Sequence, residues 1–152
     1  MIKASALFGQ GLGFDLGIQF NNSKASKKTK RNHVEEDIQA ACVQWFRYQY
    51  PKLSMNLFAI PNALAFTGES RKAFFGKIAR LKNMGLVKGV PDLFLAVATD
   101  GFSGLFIEMK KPGEKLSKEQ SVVCQNFLSH GYDVIVCDSV DQFMCGTKRY
   151  LS

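Results

Sequence analysis

Two carboxylates and a lysine stand in two short segments of this chain. The first segment is Gly89-Val90-Pro91-Asp92 and the second is Ile107-Glu108-Met109-Lys110, with fifteen residues between Asp92 and Glu108. A hard divalent cation seeks oxygen ligands, and Mg2+ takes one or two carboxylates and keeps water in the rest of its shell. Asp92 and Glu108 meet that demand. Such an ion polarises a phosphate and acidifies a bound water. A lysine beside it can orient or deprotonate the water, or offset charge on a pentacovalent transition state. Each residue also has a plainer reading. Glu-x-Lys on a solvated strand is an ion pair worth about 0–1 kcal/mol, and an Asp after Pro is common where a turn or strand begins. The chemistry therefore requires a fold that brings the three together.

Strand alternation supplies part of that fold. Side chains along a strand point to opposite faces in turn. Over 105–110, Leu105, Ile107 and Met109 face one way, and Phe106, Glu108 and Lys110 face the other. Glu108 and Lys110 then share one space, about 7 Å apart along the strand. Segment 91–98 is a second apolar strand, and Thr99-Asp100-Gly101-Phe102-Ser103-Gly104 between the two is a turn. The pair reads as an antiparallel hairpin. A hairpin lays the start of one strand beside the end of the next, which brings Asp92 to Glu108 and Lys110.

The remaining elements enclose this hairpin. Val34, Ile38, Ala41, Cys42, Trp45 and Phe46 recur at helical steps over 33–49, and Tyr50-Pro51 ends that helix. Segment 55–60 is a short strand closed by Pro61-Asn62. Residues 69–84 form an inserted basic helix, with Phe74, Phe75, Ile78 and Leu81 on one side and Gly85 as its stop. Ser117 opens a helix to about Ser129, followed by Gly131 and a strand at 132–137. Ser139 opens a final short helix, with Gln142 placed for a capping box. The expected fold class is α/β, a mixed sheet flanked by helices. Its last strand is reached through a helical crossover and lies parallel to a neighbour. Residues 1–32 read as an N-terminal arm (1–20) and a basic linker (21–32), and 33–152 as the domain proper.

With 152 residues and 46% hydrophobic content, including 13 Phe, the chain can build one sizeable core. Its formal net charge is +7, which points to a polyanionic partner. The basic residues cluster. Segment 16–34 has no acid and carries Lys24, Lys27, Lys28, Lys30 and Arg31. Segment 70–91 has none either and carries Arg71, Lys72, Lys77, Arg80, Lys82 and Lys88. Two acid-free blocks around a candidate metal site favour nucleic acid, with Lys111 a further phosphate contact. Cys42, Cys124, Cys137 and Cys145 form no CxxC pair and only two His are present, which argues against structural zinc. Each cysteine lies in an apolar stretch and reads as a buried free thiol. His33 and His130 read as cap or surface residues. Gln10, Asp15 and Gln19 interrupt the apolar N-terminal stretch, so neither a signal peptide nor a membrane span is expected, and the location expected is cytoplasmic.

A resemblance narrows these readings. Pro91-Asp92 with Glu108-Met109-Lys110 looks like the PD-(D/E)XK nuclease superfamily. The fuller string from Arg80 through Gly85, Lys88-Gly89-Val90-Pro91-Asp92-Leu93 and Gly104 to Pro112, followed by Leu116-Ser117-Lys118-Glu119-Gln120 and Gly131-Tyr132, resembles the small stand-alone VRR-NUC family of virus-type replication–repair nucleases. The resemblance covers roughly 33–140. It implies an α-β-β-β-α-β core and a Mg2+- or Mn2+-dependent endonuclease. It further implies a homodimer acting on branched DNA such as four-way junctions. On this pattern the metal ligands fall on Asp92 and Glu108 and the catalytic lysine on Lys110.

Two further positions follow from the resemblance. A family Glu four residues before a Gln matches Glu35 and Gln39. A helical wheel sets Glu35 about 60° from Ile38, beside Cys42 and Phe46, and Glu36 about 160° away. Glu35 is then either a third acidic site residue and metal ligand or half of a capping box with Asn32. Gln120 matches the family glutamine after Leu-Ser, yet Ser117-x-x-Gln120 is itself a capping box. Two other activities share the same residues: a DNA-binding module of this fold that does not cut, and a restriction-type duplex endonuclease. The Phe-rich helix at 69–84 and the arm at 1–20 are the candidate dimer contacts.

Overall fold

The computed structural model describes residues 33–61, 70–99 and 101–152. The chain divides into two units, Met1–Arg31 and Asn32–Ser152, and the elements below belong to the second. The expected arm and linker, the Asn32 cap and the Asn62 and Asp100 turn positions lie outside the described residues.

The element order is α1 (Val34–Gln49), β1 (Leu57–Ala59), α2 (Arg71–Asn83), β2 (Leu93–Leu95), β3 (Leu105–Met109), α3 (Lys118–Ser129), β4 (Asp133–Cys137) and α4 (Val140–Leu151). Glu35, Glu36 and Asp37 fill the first turn of α1, where carboxylates complement the positive end of the helix. Pro51 cannot continue that helix and opens a single 3-10 turn, Pro51–Leu53. Ser70 caps α2 by accepting from the Ala73 N–H at 3.3 Å.

The four strands lie in the order β1-β2-β3-β4. β1 and β2 pair antiparallel, β2 and β3 pair antiparallel, and β3 and β4 pair parallel across the α3 crossover. This is the expected α-β-β-β-α-β arrangement of a mixed sheet flanked by helices. β3 is buried along its whole length, as a central strand covered on both faces must be.

The two faces of the sheet differ in chemistry. Leu57, Leu93, Leu95, Leu105, Ile107, Met109 and Cys137 pack with Cys42 and Phe46 of α1 and Phe143 and Tyr150 of α4. The opposite face is aromatic. Phe58 meets Phe94 at 5.7 Å, Phe94 meets Phe106 at 4.5 Å, and Phe106 stacks on Phe127 of α3 at 4.0 Å. Period-2 alternation puts Glu108 on this second face, one step beyond Phe106. The aromatic row therefore ends where the carboxylates begin.

Several expected boundaries change. The strand expected at 91–98 is β2, Leu93–Leu95. Single bonds extend the ladder, from the Ile60 N–H to the Asp92 carbonyl at 2.7 Å and from the Ala96 N–H to the Asn56 carbonyl at 2.9 Å. Beyond them the Val97 N–H turns back to the Leu95 carbonyl at 3.0 Å, and the Val97 carbonyl accepts the Tyr150 hydroxyl at 2.6 Å. The strand expected at 55–60 is β1, Leu57–Ala59, because the Asn56 N–H bonds to the Leu53 carbonyl and holds a turn. The final helix is a full 12 residues. Its capping box is half formed: Ser139 Oγ accepts from the Gln142 N–H at 3.4 Å, but Gln142 Oε1 accepts from the Asp138 N–H at 3.1 Å. Cys42, Cys124 and Cys137 are buried free thiols as expected, whereas Cys145 is exposed. No helix among the described residues is long and apolar enough to cross a membrane.

Candidate active site

The hairpin delivers Asp92 to the end of β3. Asp92 Oδ2 accepts the backbone N–H of Met109 at 2.9 Å. That bond holds the carboxylate one residue from both Glu108 and Lys110. Glu108 is 1% exposed, which the Glu-x-Lys pattern by itself does not announce. Its Oε1 accepts Lys110 Nζ at 2.6 Å and also the Gln120 side-chain amide. Its Oε2 is buried and has no hydrogen-bond partner among the described residues. Lys110 is itself buried, and its N–H donates to the Cys137 carbonyl at 2.9 Å, so backbone pairing with β4 fixes its position.

Gln120 completes the expected capping box and also touches Glu108. Its Oε1 accepts the Ser117 N–H at 2.9 Å while Ser117 Oγ accepts the Gln120 N–H at 3.2 Å, which completes the capping box of α3. Its amide nitrogen donates to Glu108 Oε1. Only this amide orientation satisfies both partners, because a backbone N–H needs an acceptor and a carboxylate needs a donor.

Glu35 reaches the site electrostatically. It is half-buried near the start of α1, while Glu36 is exposed and pairs with His33 Nδ1 at 2.5 Å. His33 occupies the N-cap position of α1 without a side-chain capping bond. Burial raises the Glu35 pKa, the Lys110 charge opposes the rise, and the Asp92 and Glu114 charges add to it.

The carboxylates are held in a demanding environment. Burial pushes Glu108 up to about 7, against the hydrogen bond from Lys110 and with help from the Asp92 and Glu35 charges. Burial also raises Asp92, with the Met109 N–H and the Lys110 charge opposing. For Lys110, desolvation acts downward, but the hydrogen bond to Glu108 and the charges of Glu108, Glu35 and Asp92 outweigh it. Its pKa therefore lies above the ordinary lysine value. Three acidic charges thus act on one buried ammonium, and of the three Glu108 is the one hydrogen-bonded to it.

This arrangement fits a hard cation. The donors at hand are carboxylate oxygens, and Glu108 Oε2 is a buried oxygen left open. Such an atom is costly without a partner. Among the described residues no group of three or more His, Cys, Asp or Glu side chains is arranged to hold a metal on its own. Mg2+ does not need one, since water and substrate phosphate oxygens complete its shell.

A contact that sequence reading missed ties the Asp92 loop to α3. Gly89 has φ +90°, and a Cβ there would lie 2.8 Å from the Glu119 carbonyl carbon and 2.9 Å from the Gln120 nitrogen. Only glycine allows this approach to the first turn of α3. The neighbouring Lys88 Nζ meets Glu119 Oε1 at 2.7 Å, both side chains being largely exposed. The Gly-x-Pro-Asp string carried the signal, but a glycine alone does not say what it touches. Of the residues expected to contact DNA, Lys88 is engaged by Glu119. Arg71, Lys72, Lys77, Arg80 and Lys82 are exposed on α2, and Lys111 is exposed just past Lys110.

Comparison with known proteins bears on the fold and the family. A search of curated proteins finds no match. A solved structure described as a "VRR_NUC domain protein" superposes with a TM-score of 0.63 at 22% identity, covering 77% of this chain and 87% of the other. At that identity the likeness speaks to the fold. The family model of the VRR-NUC domain matches residues 33–141, most of the chain and all of the site described above. The chain belongs to the VRR-NUC domain family, a family of nuclease type.

Proposed function

We propose that this chain is a divalent-metal-dependent endonuclease that hydrolyses phosphodiester bonds in branched DNA. The observation that carries the proposal is Glu108. A carboxylate 1% exposed, bonded through one oxygen to Lys110 and Gln120 and open at the other, is a poor structural element. It is a good ligand. Asp92 and Glu108 would hold Mg2+ or Mn2+, with Glu35, which acts on both Asp92 and Lys110 through its charge, as the third acid. The ion, when bound, polarises the scissile phosphate and acidifies an attacking water.

The chain's own residues set the conditions for that reaction. Met109 N–H orients Asp92, and Lys110 and Gln120 both donate to Glu108 Oε1, which leaves the buried Oε2 without a donor among the described residues. Lys110 stays charged because its pKa is raised. A charged ammonium is a donor and not a base, so of the roles open to it we assign stabilisation of phosphate charge. The basic residues of α2 and Lys111 would hold flanking phosphates. Two copies acting as a homodimer would cut both strands of a junction, since one small domain presents one such site.

The test is a panel of four-way, flapped and linear DNAs incubated with the protein in Mg2+ or EDTA. The proposal expects nicks near branch points that require the metal. Cleavage that persists in EDTA, or binding to every substrate without products, would sink it. Preferential cutting of linear duplex would favour a restriction-type enzyme instead.

A further inference from the structure

We infer that Phe75 on α2 is a stacking platform for an unpaired base of the DNA substrate. The inference rests on the DNA reading above and adds to it the feature of DNA that this helix recognises. Helix α2 carries no buried residue. Its Phe74, Ile78 and Leu81 are half-buried, whereas Phe75 is 65% exposed. At about 100° per residue, Arg71, Lys82 and Phe75 fall within about 40° of one another, and Lys72 lies about 60° beyond Phe75. An exposed aromatic ring thus stands among three cations.

None of Arg71, Lys72, Lys77, Arg80 and Lys82 takes part in an ion pair with a described residue. No acid occurs over 70–91 to neutralise them. Arg71 and Lys82 lie about 6 Å and about 10 Å from Phe75 along the helix axis, one on each side. The Phe74 ring meets Phe75 edge-on at 6.1 Å. A nucleotide offers the matching set: a π-face for the ring and phosphates on either side for the cations. Base–aromatic stacking with flanking cations is how single-stranded nucleic acid is held without sequence readout. A paired duplex hides its base faces, and a branch point or flap exposes them. The dimer contact expected on this helix, if made symmetrically through the same face, would set one cationic helix against another, which favours DNA there.

The experiment uses the full chain in EDTA, so that binding is read without cutting. The probes are a fully paired duplex and a flapped junction carrying 2-aminopurine at an unpaired position. Stacking worth about 1–3 kcal/mol by alanine substitution corresponds to about a 5- to 150-fold loss of affinity. Phe75→Ala should lose that factor on the junction, change duplex binding less than about twofold and abolish the 2-aminopurine quench. Phe75→Trp should restore both affinity and quench. Lys82→Ala should weaken both DNAs alike and lower the salt dependence. Equal junction affinity for Phe75→Ala and wild type overturns the inference and leaves the nuclease reading standing. A shift of Phe75→Ala from dimer to monomer with unchanged quench also overturns it and assigns the face to a second copy. Failure of the wild type to bind any DNA removes both readings.

Discussion

Replacing Glu108 by Gln should make the metal-free protein more stable at alkaline pH, an unusual outcome for a buried active-site change. Gln keeps the acceptor used by Lys110 and Gln120 and mimics the protonated carboxyl. In the folded chain Glu108 has a pKa of about 7, against an ordinary 4.5. Its folded pKa is raised, so the folded state binds the extra proton. Stability from the neutral carboxyl is fully present below pH 4.5, declines as pH rises through the window and is lost above 7. At about 1.4 kcal/mol per pH unit, the full change is about 3 kcal/mol. Without the Glu108 charge, burial lowers Lys110, so the comparison is kept below pH 8. The assay is urea unfolding in EDTA at pH 5 to 8, followed by fluorescence of the lone Trp45, which packs edge-on against Tyr50 and Phe143. Glu108→Gln should gain about 2.5 kcal/mol relative to wild type between pH 5 and 8. Saturating Mg2+ at pH 8 should stabilise wild type and leave the variant unchanged. A stability difference that stays constant with pH would mean that Glu108 does not titrate in this window.

Three other changes probe the supporting contacts. Gln120→Glu keeps the capping box, since Glu serves at that position, but sets a carboxylate against Glu108. Cleavage should fall at least about 100-fold, while helix content by circular dichroism is retained. Gly85 and Gly89 share a positive φ, +100° and +90°, but a Cβ at Gly85 meets open space. Gly85→Ala should cost about 1–2 kcal/mol from backbone conformation alone; Gly89→Ala should cost more in a urea melt and also abolish cutting, because α3 must move. Lys110→Met leaves the Glu108 carboxylate unpaired, a loss of about 3–5 kcal/mol at pH 8 that should shrink at pH 5, where Glu108 is neutral.

The core of the site was legible because it depends on period-2 alternation and on one hairpin. Those two facts place Glu108 beside Lys110 and bring Asp92 to the end of β3. The wheel likewise separated half-buried Glu35 from exposed Glu36. What was not legible depends on partners remote in sequence. β2 ends early because the Val97 carbonyl is taken by Tyr150, 53 residues away. The depth of Glu108 follows from β4 and α3 closing over β3, and a Glu-x-Lys string reads the same on an open surface. Gln120 looked like a choice between cap and site because the pattern does not reveal that one end of its amide completes the cap while the other reaches Glu108.

The most direct measurement is single-turnover cleavage of a four-way junction in Mg2+ by wild type, Asp92→Asn and Glu108→Gln, each first verified as folded. Wild type should cut only with the metal, and both variants should lose at least about 1000-fold. Transition-state charge stabilisation through a bound ion supplies several kcal/mol of the barrier. Cutting by either variant at the wild-type rate would contradict the assignment of this site.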